Sequence, residues 1–297
     1  MNVKYISVAE FAAKHGVAER TVRNYCARGE LDGAILVGKT WSIPADAELP
    51  SRKRRKLKVM PLLIVLRQEK ESKLKGGIYH RTQIDLTYNS NHIEGSRLTH
   101  DQTRCIFETN TIGFEGESAN VDDVIETVNH FRCVDMIIEK AEERLTEKII
   151  KELHLILKSG TSDSRKDWFA IGDYKRLPNE VGGCVTTSPE DVYRQIKLLL
   201  KEYNAIKHKT LDDIIDMHQR FEAIHPFQDG NGRVGRMIAF KECLKNNIVP
   251  FIILDKDKLF YYRGLKEYQG NREKGYLIDT CLNAQDQYVK MIEYYLK

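Results

Sequence analysis

The chain has 297 residues, of which 41% are hydrophobic and 30% are charged, a composition typical of a soluble globular protein. No apolar stretch reaches the roughly 18 residues that a membrane-spanning helix needs, and the first residues lack the apolar segment of a signal peptide. The six cysteines are scattered and form no Cys-x-x-Cys pair, which favours buried free thiols and a reducing, cytoplasmic setting.

The positive charge is concentrated at one end of the chain. Residues 1–58 hold 12 Lys and Arg against 6 Asp and Glu, whereas the remaining residues hold 35 against 37. This asymmetry predicts an anionic partner for the N-terminal segment.

The N-terminal segment carries the signals of two short helices and a hairpin. In chain order these are a capping box at Ser7 and Glu10, a break at Gly16, a helix over about residues 18–28, and two strands, 34–37 and 40–43, around Gly38-Lys39. Pro44, Pro50 and the basic run 52–56 then indicate a linker. We therefore predict a first domain of residues 1–55 and a second of residues 56–297.

Helix, turn, helix and hairpin with surplus positive charge resemble the small winged helix-turn-helix domains of the excisionase and MerR type. The resemblance implies DNA binding through the second helix and through the hairpin, or wing. The residues that would face DNA are Arg20, Thr21, Arg23, Asn24 and Lys39. The alternative is a basic helical module that docks on protein.

The rest of the chain is predicted to be mostly helical, because apolar residues recur at three- and four-residue spacing. The predicted helices cover residues 122–141, 148–157 (capped by Thr146), 191–203, 211–224, 233–245, 258–268 and 275–296. A small hairpin is expected within residues 172–189, around Gly182-Gly183.

One loop, residues 225–236, combines a helix end, a tight turn and a helix start. Pro226 prevents simple continuation of the preceding helix, and the sequence from Asp229 to Gly232 is typical of a tight turn. The exposed N–H groups of the following helix would face that turn, as in phosphate-binding loops. Arg233 and Arg236 are three residues apart and lie on one helix face, which favours a polyphosphate site.

The charged side chains of this loop predict the chemistry. Asp229 makes sense beside phosphates if Mg²⁺ bridges it to them. His225 has a pKa suited to taking a proton from an alcohol near neutral pH. No Ser or Cys stands beside His225, which favours direct transfer from a nucleotide to a hydroxyl over a covalent intermediate.

Residues 225–236 resemble the Fic signature, His-Pro-Phe-x-Asp/Glu-Gly-Asn-Gly-Arg-x-x-Arg, and match it at every defined position. The resemblance implies transfer of AMP from ATP to a Tyr, Thr or Ser hydroxyl of a target protein, with Mg²⁺. It assigns the general base to His225, metal binding to Asp229, the anion hole to Gly230, Asn231 and Gly232, and phosphate binding to Arg233 and Arg236. The implied fold is mainly α, a Fic-type helical domain with a small β-hairpin flap, preceded by the small winged helix-turn-helix domain.

The resemblance extends outside the loop. Residues 172–176 and the hairpin after them resemble the flap that clamps a target segment in this family. Tyr261 and Tyr262 resemble the pair that lines the adenine pocket, with core packing as the alternative. Gln269 stands where the family often has Asn, so this chain departs from the family pattern at an adenine contact.

Residues 90–95, Ser-Asn-His-Ile-Glu-Gly, resemble the inhibitory motif of the same family. A Glu94 carboxylate docked on Arg236 would occupy the guanidinium that the γ-phosphate needs. Ser90 lies four residues earlier on the presumed helix, around residues 80–95, and can help orient Glu94. The alternative is an ordinary helix end at Gly95.

Two other functions stay open from the sequence. One is a transcription regulator whose Fic domain only senses nucleotide, although a sensor has no need of the base His225. The other is a Fic-type transferase of a different phosphate-containing group. A homodimer is a further expectation from the family.

Overall fold

A computed structural model of the chain describes residues 4–50, 61–113 and 119–295. The predicted domain boundary near residue 55 and the basic run 52–56 lie outside the described residues. Within the described ranges the chain is mostly helical, as predicted, with one three-stranded sheet and one two-stranded hairpin.

The N-terminal region contains both predicted helices and the predicted hairpin. Its elements are β1 (Tyr5–Ser7), α1 (Val8–His15), α2 (Glu19–Ala27), β2 (Ile35–Val37) and β3 (Thr40–Pro44). Ser7 and Glu10 form the predicted capping box at the start of α1. The strand β1, which sequence patterning missed, pairs antiparallel with β3, so the sheet order is β1-β3-β2.

The larger region contains ten helices and the short hairpin among its described residues. The first five helices are α3 (Leu62–Ser72), α4 (Ile78–Ile93), α5 (His100–Thr109), α6 (Val121–Glu139) and α7 (Glu147–Lys158). They are followed by the strands β4 (Glu180–Val181) and β5 (Cys184–Val185). The last five are α8 (Pro189–Ala205), α9 (Leu211–Ile224), α10 (Asn231–Lys245), α11 (Lys258–Asn271) and α12 (Gly275–Tyr295).

The helix α10 is the centre of this region. Every residue from Asn231 to Leu244 is buried, so α10 has no solvent face. It packs against α4, α6, α7 and α9, and these helices share one hydrophobic core. The N-terminal end of α10, where the predicted phosphate site lies, is therefore held on several sides by rigid elements.

The N-terminal region has a separate hydrophobic cluster that includes Phe11, Val22 and Ile43. It docks on the larger region through α2. The Thr21 hydroxyl donates to Asp279 Oδ2 over 2.5 Å and accepts from Asn283 Nδ2 over 2.9 Å, both on α12. On the face of α2 that we expected to meet DNA, Thr21 is therefore packed against α12, while Arg20 and Arg23 stay exposed.

This docking corrects the prediction for the DNA-facing side chains. Thr21 is 1% exposed, so its expected outward position is wrong. Arg20 pairs with Asp257, and Asn24 lines the same interface. Arg23 and Lys39 remain exposed.

The described helices include none that combines the length and the apolar character needed to cross a bilayer.

Candidate active site

The loop between α9 and α10 has the backbone that its residue types predict. The helix α9 ends at Ile224, immediately before His225, which takes a left-handed conformation at φ 51 and ψ 62. Gly230 is also left-handed, at φ 81, where a side chain would be strained, and α10 starts at the next residue. The turn therefore points the first N–H groups of α10 back toward His225.

The Asn231 side chain closes the loop. Its Oδ1 accepts from the Phe227 backbone N–H at 2.7 Å, and its Nδ2 donates to the Phe227 carbonyl at 2.8 Å. Both ends of the amide are thus occupied by the loop itself. The Asn231 side chain therefore shapes the turn, and its anion-hole role stays a prediction.

His225 lines a cavity of about 430 Å³. Its Nδ1 lies 3.4 Å from the Glu222 carbonyl, which favours the proton on Nδ1 and leaves Nε2 free to accept one. Burial lowers the pKa of His225 below the ordinary value of 6.5, and the charge of Lys175 lowers it further. The imidazole is therefore neutral at physiological pH, as a general base must be.

The guanidinium of Arg236 is hydrogen-bonded to residues at the end of α4. Its Nη2 donates to Glu94 Oε1 at 2.7 Å and to the Ser90 carbonyl at 2.8 Å, and its Nε donates to the Ser90 hydroxyl at 3.0 Å. The structure thus brings Ser90, Glu94 and Arg236 together as predicted. Ser90 orients the arginine, whereas we expected it to orient the glutamate.

The Glu94 carboxylate lies against the first turn of α10. A Cβ placed on Gly232 would collide with Glu94 Oε1. The buried Nη1 of Arg236 has no hydrogen-bond partner among the described residues, and it lies 2.9 Å from the position of that Cβ. A buried guanidinium N–H without a partner is costly, so an anion near Gly232 would complete this site.

Arg233 points to a different set of carboxylates. Its Nη1 donates to Glu126 on α6, and its Nη2 donates to Asp229 Oδ2 at 3.0 Å. Its buried Nε has no partner within the part of the chain that the structure describes. The two arginines lie in one helical turn, as predicted, but neighbouring helices draw them to separate partners.

Lys158 completes this charge cluster and was missed in the sequence. Its ammonium contacts Glu126, Asp163 and Asp229 at 2.5–2.7 Å, and its side chain is only 2% exposed. Lys158 and His154 lie four residues apart on the buried face of α7. Polar residues on an apolar helix face were the signal that could have found them.

Asp229 fits a Mg²⁺ ligand. Burial would raise the pKa of its carboxyl, but the charges of Arg233 and Lys158 outweigh burial and hold that pKa well below its usual range. The side chain is 48% exposed and can reach a bound ion. Among the described residues, no group of three or more metal-ligating side chains is found.

The segment that we predicted as a flap is fastened to the loop 225–236. The Lys175 N–H donates to the Pro226 carbonyl at 2.9 Å, and Asn179 Nδ2 donates to the Phe227 carbonyl at 3.0 Å. The Lys175 ammonium in turn holds Asn179 and Thr186 across the base of the hairpin. The hairpin tip, with Val181 43% exposed, thus lies beside His225 and lines the same cavity.

The residues predicted for the adenine pocket line the cavity that contains His225. Tyr261, Tyr262 and Gln269, all on α11, form one wall of it. Tyr261 is only 1% exposed, and its hydroxyl bonds to His218 Nε2 at 2.7 Å, so most of its ring packs in the core. Tyr262 is 41% exposed, and its ring is open to the cavity.

Glu222 is a second titratable side chain that sequence reasoning missed. It lies on α9, lines the cavity, and its Oε1 has no hydrogen-bond partner among the described residues. Burial raises the pKa of this carboxyl to about 8. Gly235 makes room for it, because a Cβ there would collide with the Glu222 carboxylate.

Residues 144–242 match the sequence profile of the Fic/DOC family, and this segment includes the whole loop 225–236. The chain is similar to the protein adenylyltransferase Fic of Nematostella vectensis, with 27% identity over 283 residues, 88% of this chain and 61% of that protein. The protein of the same name from Drosophila melanogaster is 28% identical over 188 residues, 60% of this chain and 36% of that protein. The chain thus spans between about a third and three fifths of these curated relatives.

Solved structures share the fold. A Fic domain containing signaling protein from Bacteroides thetaiotaomicron superposes with a TM-score of 0.62 at 23% identity, over 79% of this chain and 95% of that chain. Fic-1 from C. elegans gives a TM-score of 0.60 at 19% identity, over 78% of this chain and 71% of that chain. The chain is therefore similar to the Fic/DOC family in sequence over residues 144–242, and its helical fold is that of solved Fic proteins.

Proposed function

We propose that this protein is a protein adenylyltransferase, which moves AMP from ATP to a Tyr, Thr or Ser hydroxyl of a target protein. One observation carries the proposal: His225, Gly232 and Arg236 line the same cavity as the aromatic wall of α11. Its volume of about 430 Å³ lies in the usual range for small-molecule sites. The name of the curated relatives supports the proposal.

The site residues divide the work of a direct displacement. His225 takes the proton from the target hydroxyl, whose oxygen bonds to the α-phosphorus while the bond to the β-phosphate oxygen breaks and pyrophosphate leaves. The N–H groups at the start of α10 and the guanidiniums of Arg233 and Arg236 hold the phosphates. Asp229 would hold Mg²⁺, which would neutralise phosphate charge.

Glu94 is a brake in this proposal. Its carboxylate lies where a phosphate would meet Gly232 and bonds to the guanidinium of Arg236. ATP must then either displace Glu94 or bind in a pose that does not react. Burial would lower the pKa of Arg236, but Glu94 and its other neighbours raise it above its usual range, so the guanidinium stays charged.

The test uses the Glu94→Gly variant, purified and incubated with Mg²⁺, a cell lysate and ATP labelled at the α- or the γ-phosphate. We expect protein labelling from the α position only, and more of it than with the unaltered chain. Labelling from the γ position alone would show phosphate transfer. Binding of ATP without any labelling would favour the nucleotide-sensing regulator.

A further inference from the structure

The end of α4, next to Glu94, is held by Tyr262, which also lines the cavity that contains His225. The Tyr262 hydroxyl donates to the Ile93 carbonyl at 2.8 Å, one residue before Glu94. Ile93 is the last residue of α4, so its carbonyl has no partner within the helix. Tyr262 therefore caps the helix turn from which the Glu94 side chain reaches Arg236.

Two more contacts come from the chain just before α11. The Asp255 N–H donates to Asn89 Oδ1 at 2.9 Å, and the Asp255 carboxylate lies 3.1 Å from His92 Nδ1. Both contacts fix the last turns of α4 from outside the cavity. Tyr262 differs from them because its ring also faces the space that contains His225.

We infer that Tyr262 is a positioning residue for Glu94. Its side chain both lines the cavity proposed to bind the nucleotide and holds the inhibitory glutamate in place. The inference rests on the proposed function. The ring forms the wall of the cavity, whereas the hydroxyl holds Glu94 over Gly232 and Arg236. A nucleotide that shifts the Tyr262 ring would loosen the same turn that blocks its phosphates.

The chemistry of Tyr262 suits this role. Burial and, after it, the charge of Glu94 raise the pKa of the phenol to about 12, so the hydroxyl keeps its proton and stays a donor at neutral pH. The adjacent Tyr261 cannot substitute for it, because its hydroxyl is engaged by His218 in the core. Removal of the Tyr262 hydroxyl alone separates the two roles, since phenylalanine keeps the ring.

The experiment is a double-mutant cycle of Tyr262→Phe and Glu94→Gly, read as kcat and KM for ATP in AMP transfer. We expect Tyr262→Phe to raise kcat/KM of the otherwise unaltered chain about fivefold, the effect of one neutral hydrogen bond. In the Glu94→Gly background this rise should be absent, because no carboxylate remains for Tyr262 to position. A purely structural loss would lower activity in both backgrounds.

Tyr268→Phe is the matched control, because it also removes a tyrosine hydroxyl from α11. That hydroxyl bonds to Asp216, away from α4. Its rate should equal that of the unaltered chain. An unchanged rate in Tyr262→Phe, or an equal change in both backgrounds, would overturn the inference while Glu94→Gly still transfers AMP. A Glu94→Gly protein that transfers no AMP would instead remove the proposed function, and the inference with it.

Discussion

The loop 225–236 and the helix α2 were both assigned residue by residue from sequence, and the structure gives them different surroundings. In the loop, the structure brings His225, Gly232 and Arg236 to one cavity. In α2, one residue of the face that we expected to read DNA, Thr21, is buried against α12. The loop is a contiguous segment whose backbone fixes its own geometry, whereas the environment of a helix face depends on what docks against it.

The largest effect expected is at the catalytic base. In the Glu94→Gly background, His225→Ala should reduce AMP transfer by at least about 100-fold, because proton removal by a positioned base contributes that much or more. Calorimetry should show ATP binding retained, since the phosphate contacts remain. Full activity without His225 would mean that the contiguous loop was misassigned too, and the contrast between the two regions would disappear.

The charge cluster under the loop predicts the next largest effect, on stability. Lys158→Met leaves Glu126, Asp163 and Asp229 without their shared buried cation, which should lower the free energy of unfolding by about 3 kcal/mol. Urea denaturation measures it. Lys166→Met is the control, because Lys166 also pairs with Asp163 but is 44% exposed, and it should cost less than about 0.5 kcal/mol. Equal losses of unfolding free energy in the two variants would show that burial does not distinguish Lys158 from Lys166.

Glu222 predicts a pH dependence of stability. Its folded pKa of about 8 lies above the ordinary 4.5, so the folded state binds its proton more tightly than the unfolded state. The contribution of Glu222 to the free energy of unfolding is complete below pH 4.5 and is lost as pH rises through 8. Relative to the Glu222→Gln variant, the unaltered chain should therefore lose at least about 1 kcal/mol between pH 5 and pH 9. Parallel curves of Tm against pH for the two proteins would contradict this.

The smallest effect expected is at the docked face of α2. Thr21→Val removes a buried hydroxyl that bonds to Asp279 and Asn283, and should lower the free energy of unfolding by about 1 kcal/mol. The exposed neighbour Arg23 provides the comparison, since Arg23→Ala should change the free energy of unfolding by less than about 0.5 kcal/mol. If Thr21→Val left stability unchanged and weakened binding to duplex DNA, Thr21 would face DNA after all, as the sequence suggested.

Much of the local structure was predictable because its signals are local. The capping box at Ser7 and Glu10 begins α1, Thr146 caps α7, and α9 has the predicted bounds, residues 211–224. Caps, turn residues and apolar spacing act within a few residues, so no knowledge of the partner elements is needed. The strand β1 was missed because three residues of strand are defined only by pairing with β3, far along the chain.

The sequence by itself determined the backbone of the loop 225–236, since spacing on one contiguous segment places His225, Asp229 and both arginines around one helix start. The tertiary structure decided which partner each charge meets. It placed Lys158 of α7 and Glu126 of α6 against Asp229 and Arg233, and it placed α2 on α12. Such contacts join residues tens to hundreds of positions apart, and the packing of helices, not local spacing, selects them.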